Sequence, residues 1–278
     1  MVHIIADTTA GLSQSIIDKY DIPVIPQIIH FGHESFLEGY EMDSAMFMQR
    51  LMSSSSLPQT AAPPPEMFAE QFARLAPDGQ PILCIHPSSR VSGTVRSAMI
   101  ARQDFPEAEI RIMDTQAIDG PLTWMVIKAA EWAAEGVDAD TIWQRLLDMT
   151  ERMRLYFTVD TLEYLQKGGR IGGAKALMAN LLHIKPVLTW RAGQVEPFVS
   201  ERTRKRAVER VLLQGIEQAP RDREPLFSVG HAGAPDLAAE IAERLRGEFG
   251  DVQIMVTELG PAIVTHGGPG AFSLGFFA

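Results

Sequence analysis

The order of segments along the chain predicts an α/β protein with two domains. Up to about residue 150, apolar strand segments alternate with helical segments, which is typical of a three-layer domain built on a mainly parallel sheet. After residue 155, two strand segments follow one another with only residues 191–193 between them. This predicts a hairpin, and therefore a mixed or antiparallel sheet in the second half. The predicted domains are residues 1–150 and 151–278.

Strands are predicted where an apolar, β-rich run has turn residues at its ends. The predicted strands span residues 2–6, 24–31, 82–86, 110–113, 155–159, 185–190, 194–198, 226–231 and 252–258. Helical spacing predicts helices at residues 140–154, 202–218 and 235–249. Helices are also predicted at 122–135, an apolar to Ala-rich segment that ends at Gly136, and at 162–167 and 174–182. The low-complexity stretch at residues 52–65 predicts an exposed loop or linker.

Composition narrows the class of protein. The 278 residues carry a net charge of −10, with 46% apolar and 22% charged residues, which is ordinary for a soluble globular protein. No apolar run reaches the roughly 18 residues of a membrane span, and no basic leader precedes the first strand, so a cytoplasmic protein is expected. The negative charge argues against general nucleic-acid binding. The single cysteine, Cys84, lies in an apolar run, which favours a buried thiol over a nucleophile.

Basic residues are concentrated in one segment. Residues 151–210 hold 12 Lys and Arg against 6 Asp and Glu. Two interpretations stay open: a solvated helix face, or an anion-handling rim that also docks a nucleotide-carrying partner. Within this segment, Gly168 and Gly169 can expose backbone amides and direct Arg170 into a cleft. Arg170 and Arg202 are therefore candidates to hold an anion, and surface ion pairs with Glu163 or Glu201 are the alternative.

Small hydroxyl and glycine residues follow two predicted strands. Ser92 and Gly93 lie where a strand ends and a helix begins, so unpaired amides and the helix dipole could hold a carboxylate there. A serine that only caps the helix is the alternative. Asp7, after the first strand, could orient groups in the same cleft, although a capping role is favoured for it.

A histidine near the C-terminus lies among glycines in the run THGGPG. His266 is predicted to sit in a fixed loop, where it could hydrogen-bond a carboxylate or a phosphate. The other histidines show no metal-ligand spacing, so no metal site is expected. The chain also lacks a Walker motif and a kinase signature, so no ATP chemistry of its own is expected.

Four blocks together resemble the DegV family. They are VHIIADTTAGL at residues 2–12, SSRVSGTVRS at 88–97, VDTLEYLQKGGRI with the following IKPVL and RTRKRA runs at 159–207, and THGGPG at 265–270. The resemblance implies a two-domain DegV-like fold with the ligand between the domains. It also implies a protein that buries one long-chain fatty acid and presents its carboxylate to a separate ATP-dependent fatty acid kinase subunit. No cofactor beyond the bound fatty acid is implied.

The resemblance also implies roles for individual residues. Ser92, Gly93 and Thr60 match the positions that bind the acyl carboxylate, and Arg170 and His266 complete the implied ligand-binding set. Arg170, Arg202 and His266 match positions tied to phosphoryl transfer from the partner, with no catalytic group intrinsic to the chain. The family pattern has polar residues after its threonine, whereas this chain has Ala61 and Ala62, which changes the surroundings of the head group.

An acyl chain requires an apolar tunnel, and two segments are candidates to line it. Residues 122–134 and 174–182 are rich in Leu, Ala and Met, and the chain has 13 Met in all. Plain core packing is the alternative. Two other functions stay open: a substrate-binding subunit that resembles those of dihydroxyacetone kinases and holds a small substrate on His266, and a lipid-sensing regulator. Long apolar helices argue against a small polar substrate.

Overall fold

The computed structural model describes residues 2–180 and 184–278, and the strands in that part of the chain form three sheets. The strands are β1 (His3–Asp7), β2 (Val24–Ile25), β3 (Ile28–Phe31), β4 (Glu34–Leu37), β5 (Gln59–Ala61), β6 (Ile82–His86), β7 (Ile110–Asp114), β8 (Met153–Thr158), β9 (Lys185–Arg191), β10 (Gln194–Glu201), β11 (Leu226–His231), β12 (Gln253–Glu258) and β13 (Phe272–Phe277). The predicted helix at 174–182 runs partly outside the described residues.

Ten α-helices connect these strands in the described part of the chain. They are α1 (Gln14–Tyr20), α2 (Ser44–Ser53), α3 (Pro65–Leu75), α4 (Thr94–Arg102), α5 (Asp119–Ala134), α6 (Ala139–Arg152), α7 (Glu163–Lys167), α8 (Arg204–Gln218), α9 (Pro235–Phe249) and α10 (Pro261–Gly267). Short 3₁₀ helices span Thr8–Ala10, Ala76–Asp78 and Gly172–Asn180. None of the helices in residues 2–180 and 184–278 has the length and apolar character to cross a bilayer.

The first sheet is parallel, in the order β2-β1-β6-β7. All five residues of β6 are buried, as expected for a strand covered on both faces. Helices α3 and α4 cover one face with Phe68, Phe72 and Val95, and α5 covers the other. The mainly parallel α/β half is thus confirmed. Cys84 is fully buried here, and burial raises the pKa of its thiol, so the thiol is an apolar core group.

The second sheet is mixed, in the order β10-β9-β8-β13-β11-β12. The pairs are antiparallel except β11 with β12, and the β9–β10 hairpin turns at the predicted residues. Helices α8 and α9 pack on one face. The predictions missed β13, whose six residues are all buried in the middle of this sheet. A continuous apolar run lacks the alternation that distinguishes a strand from a buried helix.

Helix α5 lies between the two large sheets. It contacts β1 on one side and β11 and β13 on the other, and it is buried on nearly every face. The Trp124 indole N–H donates to the carbonyl of Phe227 across this contact (2.9 Å). The apolar character of residues 122–134 therefore reflects core packing between the sheets. The boundary between residues 150 and 151 stays a prediction.

A third, antiparallel sheet in the order β4-β3-β5 corrects two predictions. The single strand predicted at 24–31 is two strands, because Pro26 has no N–H to donate and the chain changes sheet there. The stretch at 52–65 is not a plain loop, since it contains β5, paired with β3. That pairing fixes the position of Thr60, which composition alone could not reveal.

Candidate ligand-binding site

A cavity with a mostly apolar lining lies between the two large sheets. Its empty volume is about 920 Å³, part of it open to solvent. Its walls include Leu155 and Phe157 of β8, Trp190 of β9 and Ile263 of α10. Of α5, only Asp119 reaches it, and none of the described residues of Gly172–Asn180 does. Residues 122–134 and the described residues of 174–182 thus do not line this cavity, residues 181 and 182 of the prediction lie outside the described residues, and strands of the mixed sheet provide much of the wall.

A second, polar cleft of about 1300 Å³ opens beside this cavity. Residues 54–56, Gln59 and Lys167 are among its lining residues. Three side chains line both spaces: Thr60, Arg170 and His266. These three form the boundary between an apolar interior and a polar exterior, so a ligand with an apolar chain and a charged head could place its head among them.

Ser92 and Gly93 lie at the cavity where the sequence predicts them. Gly93 is the N-cap of α4, and an added Cβ there would lie 3.3 Å from the Ala62 Cβ, so the two loops approach closely. The Ser92 hydroxyl lies 2.7 Å from the Thr94 hydroxyl. The first amides of α4 have no intrahelical partners and the helix dipole is positive at this end, so the site suits an anion.

Thr60 and His266 contact each other across 206 residues of sequence. The Thr60 hydroxyl lies 2.8 Å from His266 Nε2, while Nδ1 is buried with no partner. His266 is not in a loop, since it lies in the last turn of α10 and the chain turns only at Gly268. Burial, and then the charge of Arg170, lower the pKa of His266 to about 4, so the imidazole is neutral near pH 7.

The neutral imidazole determines how Thr60 can act. A buried N–H without a partner is rarer in proteins than an unpaired acceptor, which favours the tautomer with hydrogen on Nε2. His266 then donates to Thr60, and the Thr60 hydroxyl keeps its own hydrogen for an acceptor in the cavity. Gly168 makes room for this ring, because a Cβ there would lie 2.2 Å from Nδ1. Gly169 instead adopts a positive φ of 72°.

Arg170 is held by backbone carbonyls. Its Nε donates to Val91 O (2.9 Å) and its Nη1 to Gly168 O (2.7 Å). Among the ion pairs of the described residues, none involves Arg170, and Glu163, its predicted alternative partner, pairs with Lys167 instead. Burial lowers the pKa of Arg170. A half-buried guanidinium without a carboxylate partner can bind an anionic ligand.

Arg202 lies apart from this group. It is exposed between the end of β10 and Thr203, which is the N-cap of α8, and it lines neither space. Helix α8 thus begins at Arg204, two residues later than predicted. Glu201, the alternative partner of Arg202, bonds with Arg210. Arg204 instead contacts Asp160 and the carbonyl of Gly270.

Several polar cavity residues were not predicted. Gln27, Thr9, Asp119 and Ser273 line the cavity, and Ser273 donates to Asp119 (2.6 Å). Asp119 carried a detectable signal, as a lone acid beside glycine in an apolar run, and it has a positive φ of 56°. Asp7 itself is fully buried and caps the 3₁₀ turn by accepting from Thr9 N (3.0 Å), as the favoured capping interpretation predicted.

Residues 2–180 and 184–278 contain no group of three or more His, Cys, Asp or Glu side chains placed to hold a metal ion. The donors around the cavity are hydroxyls, amides, one guanidinium and one neutral imidazole. Such a set suits an oxygen anion on an apolar body.

The α/β fold and the site together suit the binding of an amphipathic anion, and comparison with known proteins identifies the family. The DegV family model, described as "Uncharacterised protein, DegV family", matches residues 1–278, and the chain belongs to this family. A DegV domain-containing protein of Halalkalibacterium halodurans is 33% identical over 277 residues, 99% of this chain and 98% of that protein.

Solved structures agree with the fold. A DegV family protein from Thermus thermophilus, described by its fatty acid binding, superimposes with a TM-score of 0.94 at 30% identity, covering 100% of this chain and 99% of that one. DegV of Bacillus subtilis, described as a fatty acid binding protein, gives 0.91 at 30% identity, also covering 100% and 99%. The predicted family and fold are confirmed, and relatives of this fold are fatty-acid-binding proteins.

Proposed function

We propose that this protein binds one long-chain fatty acid in the cavity and presents its carboxylate to a separate ATP-dependent kinase subunit, which forms the acyl phosphate. The observation that carries the proposal is the junction of an apolar cavity with a polar cleft at Thr60, Arg170 and His266. An acyl chain fits the first space, and the second offers a route by which a phosphoryl donor could reach the head group.

The carboxylate is proposed to bind Ser92, Gly93 and Thr60. Both hydroxyls and the α4 amides can donate to an anion, and no charged partner is needed for binding. Ala61 and Ala62 add no polar group beside them. Arg170 is proposed to stabilise charge that develops during phosphoryl transfer, and His266 to support the transfer through Thr60, to which its N–H donates.

Arg202 is proposed to act on the surface. Arg202, Lys205 and Arg206 are all exposed near the start of α8. Such a basic patch would steer an acidic partner and lose strength as salt rises. The interpretation of this segment as a docking patch thus applies to residues outside the cavity.

The first test of the proposal asks whether the purified protein contains a bound fatty acid. Native mass spectrometry of protein purified from a bacterial host should show a bound fatty acid, because each buried methylene contributes about 0.8 kcal/mol. For acids of increasing length, affinity should rise steeply up to a limit set by the cavity, since about 14 buried methylenes give a gross apolar contribution of ~11 kcal/mol. An affinity that does not change with chain length would contradict the acyl cavity.

The second test separates binding from transfer. Arg202→Ala and His266→Ala should lower acyl-phosphate formation with a kinase subunit and ATP far more than they lower fatty-acid affinity of the isolated protein. Loss of binding with unchanged turnover of the remaining complex would make these residues simple ligand contacts. ATP hydrolysis by the isolated protein would contradict a presenting role.

A small-substrate subunit of the dihydroxyacetone kinase type is the second candidate, because His266 borders the cavity. The apolar walls at Leu155, Phe157 and Ile263 disfavour it, since they offer no partner to a polyol. A lipid-sensing regulator would bind a fatty acid in the same cavity and differ only in its partner. Acyl-phosphate formation with the kinase subunit therefore distinguishes a regulator from a protein that presents the fatty acid.

A further inference from the structure

A buried chain of hydrogen bonds runs from the interior of the first sheet to Ser92. It begins at His86 on β6 and passes through Asp7 at the end of β1. It continues through Gln27 and Thr94 and ends at the Ser92 hydroxyl at the cavity. His86, Asp7 and Thr94 are fully buried, and Gln27 is 3% exposed.

The direction of each bond follows from what each group can donate. Asp7 accepts from the Thr9 amide (3.0 Å) and from His86 Nδ1 (2.8 Å), so its carboxylate oxygens serve as acceptors. The amide group of Gln27 lies 3.1 Å from the same carboxylate, which requires its NH₂ to face Asp7. The orientation of this side-chain amide is thereby fixed.

The second hydrogen of the Gln27 NH₂ group determines the direction in which the Thr94 hydroxyl donates. Gln27 Nε2 donates to the Thr94 hydroxyl oxygen at 2.9 Å. Because this oxygen accepts from Gln27, its single hydrogen is available for Ser92 Oγ, 2.7 Å away. The Thr94 amide also donates to Ser92 Oγ (3.3 Å). Both acceptor positions of the Ser92 oxygen are then occupied from the protein side.

We infer that this chain, here called the Ser92 relay (His86, Asp7, Gln27, Thr94 and Ser92), holds the Ser92 hydroxyl as a donor directed into the cavity. Thr94 and Gln27 are thus positioning residues for the carboxylate. The inference rests on the proposed function, because a directed donor has a purpose only where an anion binds. A free hydroxyl would rotate, whereas this one is oriented before the ligand arrives, which reduces the entropy lost on binding.

Thr94 is the best residue for a test, because it lies behind Ser92 and does not line the cavity. Thr94→Val removes the hydroxyl at nearly constant shape. The affinity for palmitic acid should fall about tenfold, because a charged acceptor loses an oriented donor. The affinity for the alcohol of the same chain length should fall only about twofold, because its head is neutral. Thr94→Ser restores the hydroxyl and should restore the wild-type preference for the acid.

A double-mutant cycle with Ser92→Ala distinguishes the loss of Ser92 orientation from a general structural defect caused by Thr94→Val. In the Ser92→Ala background, Thr94→Val should cause no further loss of palmitic acid affinity, because the relay then has no hydroxyl to orient. Thr158→Val is the matched control. Thr158 is equally buried and bonds to the carbonyl of Pro186, away from the relay and the cavity lining. It should leave the ratio of acid to alcohol affinity unchanged.

The outcomes separate this inference from the proposed function. If the wild type does not bind palmitic acid, or Ser92→Ala binds it as tightly as the wild type, the carboxylate site itself is wrong. If Ser92→Ala weakens binding but Thr94→Val lowers acid and alcohol affinity equally, or its effect adds fully to that of Ser92→Ala, the relay is overturned. Should Thr94→Val fail to fold, Thr94→Ala in the same cycle measures the same coupling to Ser92.

Discussion

The two sides of the proposed head-group site differ in what holds their polar side chains. On the Ser92 side, Asp7, Gln27 and Thr94 bond to one another before any ligand is present, and the buried His86 Nε2, which has no partner, lies at the far end of this network. On the His266 side, the Arg170 guanidinium makes bonds only to backbone carbonyls, and the neutral His266 ring donates to Thr60. A network of mutually bonded side chains holds one geometry, whereas a guanidinium without a carboxylate partner gains from a new negative charge. We therefore propose steady binding on the Ser92 side and a response to the transferred phosphoryl group by Arg170 on the His266 side.

The sharpest way to break this comparison is to remove the charge of Arg170. Arg170→Met keeps much of the apolar stem but loses the guanidinium. Acyl-phosphate formation with a kinase subunit and ATP should fall about a hundredfold or more, as when other groups that stabilise transition-state charge are removed. Fatty-acid affinity, measured on the isolated protein, should change far less. Lys167→Met, which removes a cation from the same polar cleft, is the control, and an equal loss in both variants would assign the effect to overall charge.

Glu38 holds the first turn of α10, the helix that carries His266, and gives the stability of the protein a pH dependence. Its Oε1 accepts from the Ala262 amide in the first turn of α10 (2.8 Å), and Thr8 donates to Oε2. Burial raises the pKa of Glu38 from 4.5 to about 7. Between these two pKa values the folded state holds more protons than the unfolded state, so the free energy of unfolding falls as pH rises through this range. The stability contributed by protonated Glu38 is therefore present at low pH and is lost as pH rises toward 7.

The change over this window is on the order of 3 kcal/mol, from a shift of 4.5 to about 7. Glu38→Gln imitates the protonated acid, so it should remove this dependence. Urea unfolding of wild type and variant at pH 5 and pH 8 measures it: the variant should gain stability relative to wild type at the higher pH. If the difference in stability between the variant and the wild type were the same at pH 5 and pH 8, the raised pKa of Glu38 would be contradicted.

Gly168 tests whether the space around His266 matters for binding. Its φ is −75°, so alanine causes no backbone strain, but the new Cβ would overlap His266 Nδ1. Gly168→Ala should cost about 1–3 kcal/mol of stability by overpacking and should weaken fatty-acid binding through Thr60. Gly169→Ala is the matched control, with positive φ and open space around it. It should cost about 1–2 kcal/mol of stability and leave affinity unchanged. If Gly168→Ala and Gly169→Ala bind the fatty acid equally tightly, the position of the His266 ring does not matter for binding.

The smallest expected effect concerns Ser92 itself. Ser92→Ala should lower fatty-acid affinity by about 1–2 kcal/mol, because a charged acceptor loses one donor. In the wild type, methyl esters should bind markedly worse than free acids. Ser89→Ala serves as the control, since its hydroxyl bonds to Asp114 outside the cavity. Equal binding of acid and ester would refute a carboxylate site at Ser92.

Much of the fold could be predicted from local pattern. The bounds of Ile82–His86, Leu226–His231 and Pro235–Phe249 match the predictions at both ends. The misses have physical causes: β13 is apolar on both faces and shows no alternation, and β5 lies in a Ser- and Pro-rich stretch whose pairing with β3 is a tertiary contact. The apolar, Ala-rich composition of residues 122–134 could not say which neighbours would cover the helix, and two sheets do.

The features of the site likewise divide into those that the sequence predicts and those that depend on tertiary contacts. The sequence by itself determined the parallel and mixed halves, the Ser92–Gly93 step at a helix start, and Thr60, Arg170 and His266 as candidates, because each depends on residues near in the chain or on resemblance to a family. Only the tertiary structure decided that Thr60 meets His266 206 residues away, and that Gln27 reaches Thr94 67 residues away. Such bonds join segments that only tertiary packing brings together, so no local pattern encodes them.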